Sequence, residues 1–343
     1  MQDNYTQNYQ PHNLSPEPAK EQVFDAKKIA LAVLGSILGV AIVVAGIVLV
    51  IQLVSGHKPE QESITATTTA PVEPAPITPN KIGLQNTIDQ WLDTQANKNN
   101  SGIIIYDIDN DAIVARHNED EVFRIESIYK MFVAYEGYHR IDSGQWDGNT
   151  TVLGWNDFNG RPYTLSLCLD HMIRFSYSAC AEAVWSMIGQ ETLQAAYEEK
   201  GFKNTSIAGI TSTPNDLMKL YQQYWKHTDL SEDSWRKIQD SMLNQIAPGT
   251  ASSVYTANWR QGLPSGFATA QVYDKVGWYG GDRWYFYDDA AFVTFPEVKK
   301  NKDGEKKLAR NYIVIVLTKD TNPTELVKLG RKIEETVKTV DNY

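Results

Sequence analysis

The chain has 343 residues, 42% of them hydrophobic, enough for one domain of about 250 residues plus appendages. Its 42 acidic and 32 basic side chains leave a net charge of −10, which speaks against nucleic acid, since such a partner is held by positive charge that displaces counterions. Cys168 and Cys180 are too few for a disulfide scaffold, and no Cys-x-x-Cys or His-x-x-x-His spacing suggests a metal site. Even in an exported domain the sequence admits two alternatives equally, a disulfide between the two cysteines or two buried thiols.

Residues 1–26 are rich in Gln, Asn, Tyr and Pro with few aliphatics, a composition that buries too little surface to fold, and they are predicted to be a disordered cytoplasmic tail. Ile29 to Ile51 is a run of 23 residues without a charge, about 34 Å long as a helix and enough to cross a bilayer. It is too long for the core of a cleaved signal peptide and no Ala-x-Ala site follows, so residues 27–54 are predicted to be a retained signal anchor. Lys20, Lys27 and Lys28 before the run and Lys58 after it favour an inside N-terminus and an extracytoplasmic C-terminal domain. Gly35-x-x-x-Gly39 is a helix-pairing spacing that more often carries no function, and nothing in the pattern specifies an oligomeric state. Residues 55–80, with Thr and Pro dominating 65–79, form a linker leaning to polyproline II, with a reach of roughly 80 Å when extended.

The folded part is predicted over 81–343. Leu84, Ile88, Trp91 and Leu92 have helical spacing within 84–96. Ser101 to Asp109 reads as a buried strand, Asn110-Asp111 as a turn and Ala112 to Arg116 as its hairpin partner. Phe123 to Tyr138 reads as a helix that ends at Asp142-Ser143-Gly144; Ile128, Met131, Phe132, Val133 and Ala134 make it apolar almost all round, hence buried. Residues 145–163 read as irregular. Leu165–Phe175, Cys180–Ile188 and Glu191–Lys200 are helical by apolar spacing, and Thr213-Pro214 opens another helix through Tyr224, with the proline in its first turn. Strands follow at Thr269–Val276, Trp284–Phe295 and Asn311–Thr318, then a closing helix from Thr321 to about Val340. This order predicts an α+β fold: one five-stranded antiparallel sheet, its first and last strands distant in sequence, with helices on its faces.

The chemistry concentrates at Ser127-Ile-Tyr-Lys130. Three residues apart on a helix, the hydroxyl and the amine rise from one face, and burial pushes Lys130 toward the neutral amine that can take the serine's proton. Alone the spacing is weak, because Ser55 to Lys58 and Ser234 to Lys237 repeat it in unpromising settings.

Taken together, the chain resembles the class A β-lactamase and penicillin-binding serine hydrolase family, whose signature is Ser-x-x-Lys, then Ser-Asp-Asn, then Lys-Thr-Gly. Ser127 to Lys130 holds the first place. Ser176-Tyr-Ser178 holds the second, between Leu169-Asp-His-Met-Ile173 and Ala179-Cys-Ala181. Lys275-Val-Gly277 holds the third, on a strand after Arg260-Gln-Gly-Leu-Pro264, and Thr213-Pro214 and Asp289-Ala-Ala-Phe-Val293 extend the likeness over nearly all of 82–343. The resemblance implies that Ser127 attacks a carbonyl, Lys130 accepts its proton, Ser176 relays a proton to the leaving nitrogen, and Lys275 supplies positive charge for Lys130 and for a substrate carboxylate. It places the oxyanion hole on the backbone N–H groups of Ser127 and Trp278. Ser178, Val276, Gly277 and Trp278 are then substrate-binding positions, with Trp155 on the opposite wall. The expected substrate is a β-lactam or a peptidoglycan-peptide amide of the D-Ala-D-Ala type, with no cofactor and no metal.

Departures from the pattern matter equally. Ser178 stands where the family has Asn, and a hydroxyl lacks the reach and the paired donor and acceptor of a carboxamide. Val276 removes the hydroxyl of the third motif. Between Lys200 and Thr213 there is no Glu-x-x-Leu-Asn, the stretch from which class A enzymes take the base that activates water, and Glu191, Glu198 and Glu199 fit a solvated helix face; slow deacylation is expected. These departures motivate a rival reading, an inactive module of the same fold that binds wall fragments or a protein.

Other features have plainer readings. Alternation on a half-buried sheet accounts for most of Tyr273, Trp278, Tyr279, Trp284, Tyr285, Phe286 and Tyr287, with Trp278 the one set apart for a ligand. His117, His139 and His171 lack partner spacing and fit surface or capping roles, and strand alternation sends Asp288 and Asp289 to opposite faces.

Overall fold

A computed structural model of the chain describes residues 82–157, 159–243, 262–280, 284–297 and 309–340. The predicted tail, anchor and linker lie outside the described residues. Among those described, no helix is long and apolar enough to cross a membrane.

The sheet is built from β1 (Ser101–Asp107), β2 (Ala112–His117), β7 (Gln271–Gly280), β8 (Trp284–Phe295) and β9 (Arg310–Thr318), in the order β2-β1-β9-β8-β7 and antiparallel throughout. The predicted five strands are therefore present, and the chain closes the sheet by laying its last strand beside its first, Ile104 against Ile315. β1 is buried at all seven positions because it is covered on both faces. Ile103 and Ile105 enter one core, while Ile104 and Tyr106 enter the other.

The second core lies between the sheet and two terminal helices, α1 (Ile82–Leu92) and α8 (Pro323–Val340). Leu84, Ile88, Trp91 and Leu92 of α1 meet Leu326, Leu329, Ile333 and Val337 of α8, one apolar stripe on each helix. The larger core holds α2 (Tyr129–Asp142), α3 (Leu165–Arg174), α4 (Ser178–Ile188), α5 (Gln190–Glu199), α6 (Pro214–Trp225) and α7 (Glu232–Leu243). α2 is its axis, buried continuously from Tyr129 to Tyr138 as its all-round apolar sequence requires. Tyr197 and Tyr224 donate their hydroxyls to the carbonyls of Phe132 and Met131 at 2.7 and 2.6 Å, so these buried phenols keep partners while fixing α2 in place.

Several expectations need correction. The helix predicted to begin at Phe123 does not: Phe123–Arg124 is a short strand, β3, paired with β6 (Thr211–Ser212), and Glu126–Ile128 is a 3₁₀ turn before α2. Glu126 has a φ of 39°, a left-handed conformation that breaks the α-helical path ahead of Ser127. Residues 145–163 are not wholly irregular, since β4 (Thr151–Asn156) and β5 (Pro162–Thr164) form a hairpin. The strand predicted to stop at Val276 runs on to Gly280. Thr213 does cap α6, its hydroxyl accepting from Asp216 N–H at 3.1 Å with Pro214 in the first turn.

Candidate active site

Four elements deliver the site. The 3₁₀ turn presents Ser127, half-buried, and the first turn of α2 carries Lys130, 1% exposed. Where the 3₁₀ turn runs into α2, residues i and i+3 lie on one face, and the amine of Lys130 comes to 2.8 Å from Ser127 Oγ. The segment between α3 and α4 carries Ser176, whose φ of 52° turns the chain sharply between the two helices. Its carbonyl accepts from Lys130 at 2.7 Å, and its hydroxyl lies 3.2 Å from Lys130 Nζ and 3.0 Å from Lys275 Nζ. Ser178, at the start of α4, places Oγ 3.2 Å from Lys130 Nζ. Residues separated by up to 148 positions thus meet around one lysine, and Ser127, Lys130, Ser176 and Lys275 do converge.

Lys275 comes from β7, the edge strand, where it is fully buried and also donates to the Val276 carbonyl at 2.9 Å. Gly277, two residues on, lies against the Ser127 turn: a Cβ there would sit 2.5 Å from the Ile125 carbonyl oxygen. The missing side chain therefore lets β7 close on the nucleophile's backbone, which is what an oxyanion pocket made of N–H groups from both segments needs.

The charge states follow from this packing. Burial, and then the positive charge of Lys275, hold the Lys130 amine well below its ordinary range, which favours the neutral form with a lone pair toward a hydroxyl. A neutral amine has two N–H donors and one lone pair; the Ser176 carbonyl takes one donor, and Ser127 O–H can give its proton to the lone pair. Burial brings Lys275 down to about 8, while Asp274 and Asp289 oppose the fall, leaving it cationic at neutral pH. Sequence reasoning missed this acidic pair; Asp289, opposite Val276 in the β7–β8 ladder and itself raised well above the usual carboxylate range by burial and then by Asp274, was the visible half of it.

Cys168 and Cys180 form a disulfide that joins α3 to α4 with 12 residues of separation, both sulfurs wholly buried. The bond encloses the Ser176–Ser178 segment and clamps the two helices from which it springs. The position of Cys180 two residues after Ser178 was the signal available in the sequence.

Other expected residues are placed differently. Strand alternation puts Lys275, Gly277 and Tyr279 on one face of β7 and Val276 and Trp278 on the other. Val276 is 3% exposed in the core against α1 and α8, and Trp278 packs half-buried against that same core, so neither side chain shares the face of Lys275. Tyr279 does share it, 58% exposed, with the Tyr285 ring 5.7 Å away. Trp155 is exposed on β4 and, among the described residues, makes no ring contact or hydrogen bond with the four converging groups. His171 is not at the surface: it is 3% exposed, edge-on to Phe175 and Tyr163, and burial lowers its pKa. Asp288 and Asp289 face opposite ways as expected, pairing across the ladder with Gly277 and Val276. The repeat of the motif at Ser234 and Lys237 is accidental, since Ser234 donates to Asp142 at 2.9 Å and Lys237 pairs with Asp233. Among the described residues no cluster of His, Cys, Asp or Glu is arranged to hold a metal.

The model of the family described as "Beta-lactamase enzyme family" matches residues 83–338. The chain belongs to the beta-lactamase enzyme family. Solved structures agree on the fold of this beta-lactamase-family domain. PBP-A superposes with a TM-score of 0.57 at 18% identity over 75% of this chain and 96% of that one. A class A beta-lactamase from Bacteroides cellulosilyticus DSM 14838 gives 0.59 at 15% identity over 76% and 99%. A PBP-A mutant in an acyl-enzyme complex with penicillin G gives 0.56 at 19% over 79% and 99%. No curated protein sequence matches the chain.

Proposed function

We propose that this protein is a membrane-anchored, extracytoplasmic serine hydrolase that forms an acyl-enzyme on Ser127, with a β-lactam or a D-Ala-D-Ala-type wall-peptide amide as substrate. The observation that carries the reading is the unbroken polar chain Ser127, Lys130, Ser176, Lys275, with steps of 2.8, 3.2 and 3.0 Å. Lys130 takes the proton of Ser127 as Oγ attacks the carbonyl carbon. The C–N bond breaks, and the proton passes through Ser176 to the departing nitrogen. Lys275 holds the field that keeps Lys130 neutral and attracts an anionic substrate. The oxyanion is held by the N–H groups of Ser127 and Trp278, each worth about 3 kcal/mol of barrier. β7 supports this role as an edge strand, because alternate N–H groups along it point away from β8.

The disulfide supports an oxidising compartment, and with the 23-residue apolar run of the sequence it supports the extracytoplasmic placement. Slow deacylation follows from the missing Glu-x-x-Leu-Asn stretch. Ser178, short and exposed at the second motif, favours a rival reading in which the fold binds wall fragments without turnover. A fluorescent penicillin decides: wild type is labelled and Ser127→Ala is not. Absence of labelling by any acylating probe would leave the binding module standing.

A further inference from the structure

We infer that Glu182 is the carboxylate that takes the proton from the water hydrolysing the acyl-enzyme, and that the slow turnover of this protein runs through it. The inference rests on the acyl-enzyme reading above and adds the residue that ends the cycle.

Ser178 opens α4, and its hydroxyl touches Lys130 at 3.2 Å. Glu182 lies four residues later, one turn up the same helix face, and is exposed. Three residues further, the Trp185 ring lies 5.7 Å from that of Tyr129, the residue between Ile128 and Lys130. The stripe of Ser178, Glu182 and Trp185 thus runs beside the first turn of α2, which follows directly on the turn that carries the nucleophile.

Two carboxylates bear electrostatically on Lys130, Glu182 and Glu126. Glu126 has one oxygen engaged, accepting from Arg124 Nε at 2.8 Å, and its side chain is only 14% exposed. Glu182 makes no salt bridge or hydrogen bond among the described residues, so its lone pairs are free to meet a water. The step balances: the water oxygen bonds to the acyl carbon while its proton goes to Glu182. The bond from that carbon to Ser127 Oγ then breaks, and the proton returns by way of Lys130 to Oγ, leaving a carboxylic product and the starting enzyme.

The test follows the adduct of penicillin G by intact-mass spectrometry on the full chain, comparing wild type, Glu182→Gln and Glu182→Asp. We expect all three to be acylated, the Gln adduct to outlive the wild-type adduct at least tenfold, and Asp to restore part of the loss, in the range of general-base effects of about 10²–10⁴. Equal lifetimes for wild type and Gln overturn the inference alone, as does a wild-type adduct that persists without loss. Failure of Gln to be acylated at all also overturns it, because the carboxylate would then serve the first step. A wild type that is never labelled removes the acyl-enzyme reading itself.

Discussion

Replacing Cys168 and Cys180 together by alanine removes the bond that closes the segment carrying Ser176 and Ser178. With 12 residues of separation, the chain-entropy relation gives a loss of about 3 kcal/mol. For a domain of this size that corresponds to a fall in Tm of roughly 6–12 °C. The consequence for function is separate. Ser176 holds a left-handed backbone, φ 52°, a conformation costing a non-glycine residue about 1–3 kcal/mol when its surroundings no longer impose it. Once unclamped, the segment relaxes, and Ser176 Oγ leaves its position between Lys130 and Lys275. Acylation is then expected to slow by about tenfold for each 1.4 kcal/mol of positioning lost. The assay pairs thermal unfolding with the rate of fluorescent-penicillin labelling. Wild type refolded in reductant controls for the sulfur atoms, because it loses the bond and nothing else. A Tm within 2 °C of the oxidised protein, in both the double variant and the reduced wild type, would show that the clamp contributes little and refute the argument.

Four further outcomes follow from the site and the sheet behind it. Lys275→Met removes the charge that depresses Lys130, so the acid limb of the acylation profile moves to higher pH; an unmoved limb would mean that burial alone sets the amine. In wild type the alkaline limb for an anionic substrate falls near pH 8, where Lys275 loses its proton, and Lys275→Met abolishes that limb. Gly277→Ala drives a methyl to 2.5 Å from the Ile125 carbonyl, so β7 must retreat from the Ser127 turn; we expect a loss of about 1–3 kcal/mol in stability and a larger relative loss of labelling. Asp288 is fully buried, accepts from Thr318 N–H at 2.7 Å, has no hydrogen-bond partner for its other oxygen among the described residues, and is raised well above the carboxylate range by burial. Its native form therefore holds a proton that the unfolded chain gives up from about pH 4 upward, so stability is lost as pH rises through the window between the two values. Asp288→Asn keeps the acceptor and removes that loss, and chemical denaturation at pH 5 and pH 8 should show the variant gaining on wild type at the higher pH.

The local chemistry of this chain was written along it. Alternating and helical apolar spacings placed the sheet strands and the main helices, because each element must bury one face or stripe whatever it packs against. The order of Ser127, Ser176 and Lys275 pointed to the family because spacing and flanking residues are properties of the chain itself. What spacing does not carry is direction across long separations. The β4–β5 hairpin, the pairing of Cys168 with Cys180 and the turn of Val276 and Trp278 away from Lys275 depend on which face of an edge strand or loop meets which core. The left-handed step at Glu126 is likewise imposed from outside, since no non-glycine residue takes it by preference. Proton affinity is the clearest case: the sequence supplies two lysines beside one serine hydroxyl, and only their surroundings separate them, since burial and the Lys275 charge depress Lys130 while Asp274 and Asp289 oppose the fall of Lys275.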